Sequence, residues 1–194
     1  MCPFCGSLER HRLVWRYFTD CTDLFDPRPK KMLHVAPERC LEARFKKKIG
    51  LSYLTADLLD PEVMEKMDIT AIQHPADSFD VIYCSHVLEH VADDRKAMRE
   101  FRRVLRSTGW AVLLVPISAE RTIEDPSITD PAERLRLFGQ EDHVRRYGPD
   151  YVDRLHEVGF KVKCLSVSDF LTEEEAVRMA VGTGQAGQIF HCTK

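Results

Sequence analysis

The sequence has no apolar run long enough to cross a membrane, no strong excess of one charge and no even set of cysteines. No stretch approaches the roughly 18 apolar residues of a membrane helix, so we expect no membrane partner. A net charge of -3 over 194 residues gives no overall attraction to nucleic acid and argues against such a partner. Seven cysteines, mostly scattered, do not make a disulfide framework and favour a reduced, cytoplasmic protein.

A continuous apolar segment near the middle of the chain predicts a buried strand that ends in a polar turn. Residues 81–84 suit a strand that is buried on both faces, and Ser85 and His86 follow it before a helical run. Ligands of open α/β sheets bind outside the carboxyl ends of the strands. We therefore expect Cys84, Ser85 and His86 to line a site.

Strands and helices alternate with short connections around this segment, which predicts an α/β fold with a doubly wound, mostly parallel sheet. Predicted strands cover 31–35, 51–56, 68–70, 81–84, 110–115, 160–167 and 188–193, with a short helical piece at 60–66 and a helix from residue 93 or 94 that ends at 107–109. Residues 1–30 are predicted to form a short N-terminal helical extension with a cysteine turn, ahead of one domain over 31–194. The proline-containing stretch 116–149 is predicted to be an insertion on the substrate side.

Carboxylates stand at the ends of the second and third predicted strands. Asp57 follows the second strand about 20 residues after the loop 36–38, where a carboxylate can accept both ribose hydroxyls of an adenosine cofactor. A helix cap or a turn aspartate is the alternative interpretation. Asp68 provides a second carboxylate after the next strand.

The motif Cys2-Pro3-Phe4-Cys5 is a CxxC turn that suits half of a tetrahedral zinc site. Candidates for the remaining ligands have no signature spacing: Cys21, Cys40 and His11. A plain N-terminal turn with two thiols is the alternative. We therefore hold zinc as a possible cofactor with Cys2 and Cys5 as its ligands.

A literal GxGxxG motif occupies residues 182–187, but its context is wrong for a nucleotide. The dinucleotide fingerprint follows a strand and opens a helix, so that the pyrophosphate meets the helix N-terminus. This copy follows a predicted helix and precedes the last strand. We interpret it as a loop, which argues against a nicotinamide-dependent reductase.

In order, the motifs resemble the class I S-adenosylmethionine-dependent methyltransferases, and in particular their type 11 group. The resemblance covers 31–116 and rests on LHVAPE, YLTADL, MDIT, SFDVIYCSHVLEHV, and FRRVLRSTGW before AVLLVP. It implies a Rossmann-like methyltransferase fold of seven strands and S-adenosyl-L-methionine as cofactor. The CPFCGS-RHR opening and the FGQEDHVRRYG segment are similar to a smaller subgroup with an N-terminal cysteine knuckle.

The resemblance implies that Asp57 holds the ribose, that Asp68 and Ile69 flank the adenine, and that residues 84–86 lie beside the methionine portion. The implied cofactor contacts come from the ends of the first four strands: His34, Ala36, Pro37, Glu38, Asp57, Leu58, Asp68, Ile69, Cys84, Ser85 and His86. The first-strand loop departs from the family, because His34 replaces an acid and residues 36–38 replace the glycines. Glu38 could meet the cofactor's ammonium and Arg39 its carboxylate, with capping or solvent contact as the alternative.

The implied reaction is methyl transfer to an oxygen or nitrogen of a small or medium polar acceptor. His143, in the insertion, is the first candidate for the catalytic base and His86 the second, ahead of His90 and Tyr147. The chain lacks the Asn/Asp-Pro-Pro-aromatic and Pro-Cys motifs of two kinds of nucleobase methyltransferase. The alternative is a non-catalytic, methyltransferase-like binding or scaffold module that has lost its cofactor loop.

Overall fold

The structure is a computed structural model that describes residues 1–182 and 187–194. Its helices are α1 (Glu9–Asp20), α2 (Arg39–Ile49), α3 (Asp94–Val104), α4 (Pro131–Phe138), α5 (Tyr151–Glu157) and α6 (Glu173–Met179). Its strands are β1 (Met32–Val35), β2 (Tyr53–Asp57), β3 (Glu65–Lys66), β4 (Phe79–Ser85), β5 (Leu105–Leu114), β6 (Ile123–Glu124), β7 (Arg145–Arg146), β8 (Lys161–Ser166) and β9 (Gln188–Thr193). Four residues of the GxGxxG motif, 183–186, lie outside the described residues, so its interpretation as a loop stays a prediction.

Seven strands form the central sheet in the order β3-β2-β1-β4-β5-β9-β8. The pairs β2–β3, β1–β2, β1–β4 and β4–β5 are parallel, and β9 runs antiparallel to both β5 and β8. The chain therefore winds outward in one direction from β1 and then in the other from β4. The predicted doubly wound, mostly parallel seven-stranded sheet is confirmed, and its strand order reverses between β1 and β4.

The central strands of the sheet are buried because their side chains are mostly apolar and helices pack on them. Each residue of β1 is buried, and α2 packs Leu41 and Phe45 onto the sheet. The ring of Phe18 in α1 lies 5.7 Å from Phe45, 5.2 Å from Tyr83 and 5.8 Å from Trp110. The helix of the N-terminal extension thus shares the core of the sheet.

The predicted short helix at 60–66 and strand at 68–70 are wrong. Residues 60–64 form turns, the third strand is only Glu65–Lys66, and Asp68 follows it in a turn. Two residues carry too little pattern to show a strand. Its pairing with Ala56 and Asp57 of β2 comes from the tertiary fold.

The predicted helix end at 107–109 is also wrong, because α3 stops at Val104 and these residues belong to β5. Leu105 pairs with Phe79, and the next registered pair joins Trp110 to Val81. Four residues of β5 therefore oppose one of β4 as a bulge. Gly109 fits there because a Cβ at this position would lie 2.5 Å from the carbonyl oxygen of Asp80.

The predicted insertion contains α4 and a separate two-stranded sheet of β6 and β7. Its Glu124 binds two buried arginines, Arg145 at 2.9 Å and Arg154 at 2.7 Å. The hydrogen bond from Arg154, followed by that from Arg145, holds the pKa of Glu124 at about 2 although burial opposes the shift. Among the described residues, no helix has the length and apolar character that crossing a bilayer requires.

Candidate functional site

The carboxyl ends of β1, β2 and β4 lie side by side at one edge of the sheet. The N–H of Ala36 donates to the carbonyl of Ala56 at 2.8 Å. Val35 stands opposite Cys84 in the parallel register of β1 and β4. The strand order reverses at this point, and an open α/β sheet forms its ligand crevice there.

Asp57 ends β2 at this edge and organises the turn that follows it. Its Oδ1 accepts hydrogen bonds from the N–H groups of Leu59 at 2.7 Å and Asp60 at 2.8 Å. Its own carbonyl accepts from the N–H of Met67 at 2.9 Å, which brings the residue after Met67, Asp68, to the same edge. Asp57 therefore does stabilise a turn, as in the alternative interpretation of this residue. Its Oδ2 makes none of these hydrogen bonds.

Leu58, predicted to contact the cofactor, and Asp68 and Ile69, predicted to flank its adenine, differ in exposure. Leu58 and Asp68 are exposed and Ile69 is buried. The backbone N–H of Thr70 donates to Oδ1 of Asp68 at 2.8 Å and, with the side chain of Thr70, lowers the pKa of that carboxyl. The edge thus offers an apolar surface at Leu58 near the carboxylates of Asp57 and Asp68.

The turns after the two central strands each contain a non-glycine residue with a positive φ. Ala36 and His86 adopt φ values of 48° and 56°, in the left-handed region that non-glycine residues rarely occupy. The N–H of His86 donates to the carbonyl of Leu114 at 2.9 Å, which fixes the turn after β4. The buried Oγ of Ser85 has no hydrogen-bond partner among the described residues.

The loop after β1 is held by Glu38 instead of by glycines. Its carboxylate binds Nε2 of His34 at 2.9 Å and the hydroxyl of Tyr83 at 3.0 Å. Burial would raise the pKa of Glu38, but the hydrogen bond and charge of His34, and the charge of His11, outweigh it and lower the pKa. Nδ1 of His34 lies 2.6 Å from the hydroxyl of Tyr53. The fully buried His34 therefore has both ring nitrogens engaged, and it reaches the site through Glu38.

Sequence reasoning missed that α1 closes over this loop. Nε2 of His11 lies 3.7 Å from Oε1 of Glu38 and has no hydrogen-bond partner among the described residues. Nδ1 of His11 lies 3.1 Å from Sγ of Cys40, at the start of α2. Only the CxxC hypothesis, which named His11 and Cys40 as candidate ligands, pointed to this contact. Arg39 points elsewhere and binds Glu62 at the surface, at 2.8 Å.

The CxxC motif forms a tight turn next to α1. The N–H of Cys2 donates to the carbonyl of Ser7 at 2.8 Å, and that of Gly6 donates to the carbonyl of Cys2 at 2.9 Å. The thiol of Cys5 donates to Oγ of Ser7 at 3.3 Å, and this hydroxyl lowers the pKa of Cys5. Cys21 is exposed and lies after the end of α1.

The last part of the insertion docks on the segment that follows the β4 turn. The N–H of Val144 donates to the carbonyl of Glu89 at 2.9 Å. The guanidinium of Arg145, 3% exposed, donates to three backbone carbonyls, those of Leu88 at 2.7 Å, Val91 at 2.5 Å and Ala92 at 2.8 Å. Residues 143–147, 50 or more positions away in sequence, are thus fastened beside the strand end at His86.

The docking brings His143 to the same region as His86 and His90. His143 is 7% exposed, and its ring centroid lies 4.6 Å from that of His90. His86 is more exposed and places Nδ1 3.4 Å from Oε1 of Glu89. Glu89, His90 and His143 each offer one ligand atom, and these atoms lie within 4.8 Å of one another.

Tyr147, another candidate base, holds a structural position. Its buried hydroxyl donates to Asp94 at 2.7 Å. Burial, reinforced by the charge of Asp94, raises the pKa of Tyr147 far above its usual value. A base with so high a pKa would not be available near neutral pH.

The central part of the chain matches a known family. Residues 30–113 match the family model described as "Methyltransferase domain". The uncharacterized methyltransferase YcgJ of Bacillus subtilis is 39% identical over 75 residues, which cover 39% of this chain and 28% of that relative. The matched region contains β1 to β4, all but the last residue of β5, and the strand ends described above.

Solved structures share the whole fold at low sequence identity. An S-adenosylmethionine-dependent methyltransferase from Mesorhizobium loti has a TM-score of 0.61 and 16% identity, over 97% of this chain and 99% of that one. The 1,6-didemethyltoxoflavin-N1-methyltransferase of Burkholderia thailandensis, with bound 1,6-didemethyltoxoflavin and S-adenosylhomocysteine, has a TM-score of 0.59 and 11% identity. That likeness covers 95% of this chain and 76% of the Burkholderia enzyme. The predicted Rossmann-like methyltransferase fold is confirmed.

Proposed function

We propose that this chain, which carries a methyltransferase domain over residues 30–113 on the fold of S-adenosylmethionine-dependent methyltransferases, methylates an oxygen or nitrogen of a small or medium polar acceptor. The observation that carries the proposal is the meeting of Glu38, Asp57 and the Ser85–His86 turn at one edge of the sheet, inside the matched region. The Burkholderia enzyme, whose structure holds 1,6-didemethyltoxoflavin, supports the small-molecule acceptor class. The free cysteines agree with a reducing, cytoplasmic setting.

The ribose, the adenine and the ammonium of the cofactor would each have a matching group at this edge. Oδ2 of Asp57 would accept the ribose hydroxyls, and Leu58 with Ile69 would contact the adenine beside Asp68. The lowered pKa of Glu38 keeps a carboxylate for the ammonium of the methionine part. The unpaired Oγ of Ser85 would take a hydrogen bond from the same part.

The backbone of the two strained turns would let the cofactor approach closely. Ala36 and Pro37 follow β1, and Cys84 is buried at the end of β4, so these residues would contribute chiefly main-chain and shape contacts. S-Adenosylmethionine has no pyrophosphate, so a loop without glycines can serve it. Its sulfonium supplies the electrophilic methyl group, and the protein aligns the nucleophile and excludes water.

The structure favours His86 over His143 as the base. His86 stands at the strand end and its side chain is 28% exposed, whereas His143 is nearly buried against His90. The acceptor's proton would pass to His86 as the bond from acceptor to methyl carbon forms and the carbon–sulfur bond breaks. The electron pair of the broken carbon–sulfur bond stays on sulfur. We expect His86→Ala to lower turnover about 100-fold or more at saturating cofactor; unchanged turnover would rule the role out.

Calorimetry with S-adenosylhomocysteine tests the cofactor site. Asp57→Asn keeps an oxygen for the turn but removes the charge, so we expect at least a tenfold loss of affinity, about 1.4 kcal/mol. Asp60→Asn, in the same turn, is the matched control and should bind as the wild type does. Equal affinity of both variants would refute the assigned role of Asp57.

The network around Glu38 favours a second candidate, a non-catalytic binding or scaffold module. The carboxylate is already engaged by His34 and Tyr83, as in a loop that needs no ligand. The calorimetric experiment separates the two functions. Wild-type protein that gives no heat and no thermal shift with S-adenosylhomocysteine would favour the module.

We also propose that Cys2 and Cys5 bind zinc, with Cys40 and His11 as the other ligands. The contact between His11 and Cys40 and the neighbouring CxxC turn support this set. In the described part of the chain, the side chains whose ligand atoms lie close enough together to hold a metal ion do not include these four residues. Zinc binding would therefore require the four side chains to move closer together. Metal analysis should find one zinc per chain fewer in Cys2→Ser/Cys5→Ser than in the wild type and in Cys21→Ser. Equal zinc in all three would refute it.

A further inference from the structure

The geometry points to a divalent transition-metal site made by Glu89, His90 and His143. One ligand atom from each residue lies within 4.8 Å of the other two. Two imidazoles and one carboxylate suit zinc, manganese, iron or cobalt better than magnesium, which prefers oxygen ligands. The CxxC cysteines take no part in this cluster.

The carboxylate of Glu89 is the strongest sign of a missing partner. Glu89 is 1% exposed, and its Oε2 has no hydrogen-bond partner among the described residues. Its other oxygen lies 3.4 Å from Nδ1 of His86. A buried, unpaired carboxylate oxygen is costly, and a bound cation would remove that cost.

Both histidines are oriented as metal ligands usually are. Nδ1 of His143 lies 3.1 Å from the carbonyl oxygen of Phe138, which can only accept, so Nδ1 carries the proton and Nε2 has the free lone pair. Nδ1 of His90 lies 3.0 Å from Oδ2 of Asp142. A carbonyl and a carboxylate behind two imidazoles are the common outer partners of metal-bound histidine.

The backbone holds the three ligands in place before any metal arrives. Val144, next to His143, donates its N–H to the carbonyl of Glu89 itself. Arg145 then fixes the carbonyls on either side, from Leu88 to Ala92. A site on such a framework loses little conformational freedom on binding.

The metal site lies directly after the turn that carries His86, so a metal bound there would lie close to the proposed acceptor. Three protein ligands leave coordination positions for an acceptor oxygen or nitrogen, whose proton the metal would make easier to remove. This step rests on the proposed methyl transfer. In this arrangement His143 is a metal ligand and His86 remains the base. Acceptors with a hydroxyl or amine that can coordinate a metal are the class expected.

Metal titration of the chelator-treated protein tests the site. The background is Cys2→Ser/Cys5→Ser, so that the thiols do not compete. We expect one Mn²⁺ per chain by electron paramagnetic resonance or one Zn²⁺ per chain by calorimetry. Glu89→Gln and His143→Gln should each lower affinity about 100-fold or more, and Asp142→Asn, which changes an exposed outer partner, about tenfold.

His74→Gln is the matched control, because it breaks a histidine–carboxylate pair with Glu65 that is outside the cluster. It should leave metal affinity unchanged. Absence of stoichiometric Mn²⁺ and Zn²⁺ binding, or equal affinity in all variants, would overturn the site. Parallel titration with S-adenosylhomocysteine keeps the two proposals separate. Cofactor binding without metal binding defeats the metal site alone, and metal binding without cofactor binding defeats the proposed function.

Discussion

Arg145 is the residue whose loss should most disturb the junction between the insertion and the β4 turn. Its side chain is almost fully buried, donates to three backbone carbonyls and binds Glu124 at 2.9 Å. Arg145→Met would remove a donor from all three carbonyls, of which that of Leu88 also accepts from the N–H of Val91 at 3.3 Å, and would leave Glu124 with one arginine fewer. Removing one partner of a buried charged network costs about 3–5 kcal/mol, so we expect the free energy of unfolding to fall by that amount.

Urea unfolding followed by circular dichroism measures the change. Arg145→Lys keeps the charge but cannot reproduce the planar fork of donors, and should lie between the wild type and Arg145→Met. Arg136→Met removes an arginine that pairs with Glu133 at the surface and should leave the urea midpoint unchanged. A loss below about 1 kcal/mol in Arg145→Met would show that the docking does not stabilise the fold.

Two further predictions concern stability. Because the pKa of Glu124 is about 2 in the folded protein and 4.5 ordinarily, its stabilisation is complete above pH 4.5 and is lost as the pH falls toward 2. The difference in unfolding free energy between wild type and Glu124→Gln should therefore shrink over that window; a constant difference would contradict the assignment. Gly109→Ala would place a Cβ against Asp80 and should lower Tm by several degrees in calorimetry, whereas an unchanged Tm would show that the bulge yields.

The sheet could be predicted from the sequence because its signals are local. The burial of β1 and β4 follows from continuous apolar runs, and Leu41 and Phe45 follow from helical spacing. The two-residue β3 has no such period and was mistaken for part of a helix. The bulge in β5 was mistaken for a helix end because its polar residues, 106–108, are exposed.

The sequence predicted which candidate site residues lie close together only where those residues directly follow a strand. Asp57 and the turn at His86 stand directly after strands, so topology alone brings them together. The contact of His11 with Glu38 and the docking of Arg145 on Leu88 join distant segments through single side chains. No hydrophobic periodicity or motif spacing in the sequence predicts such contacts. The mixture of aromatic and charged residues in FGQEDHVRRYG was the available hint.

The attachment of residues 143–147 also defines where this protein can be recombined with its relatives. Glu124 and Arg145 are each fixed to the body of the domain, whereas residues 125–137 between them carry mostly exposed side chains. A chimaera that exchanges only 125–137 keeps both anchors and the histidines. Crossovers inside 143–147 would instead break the hydrogen bonds that Val144 and Arg145 make to the segment after the β4 turn.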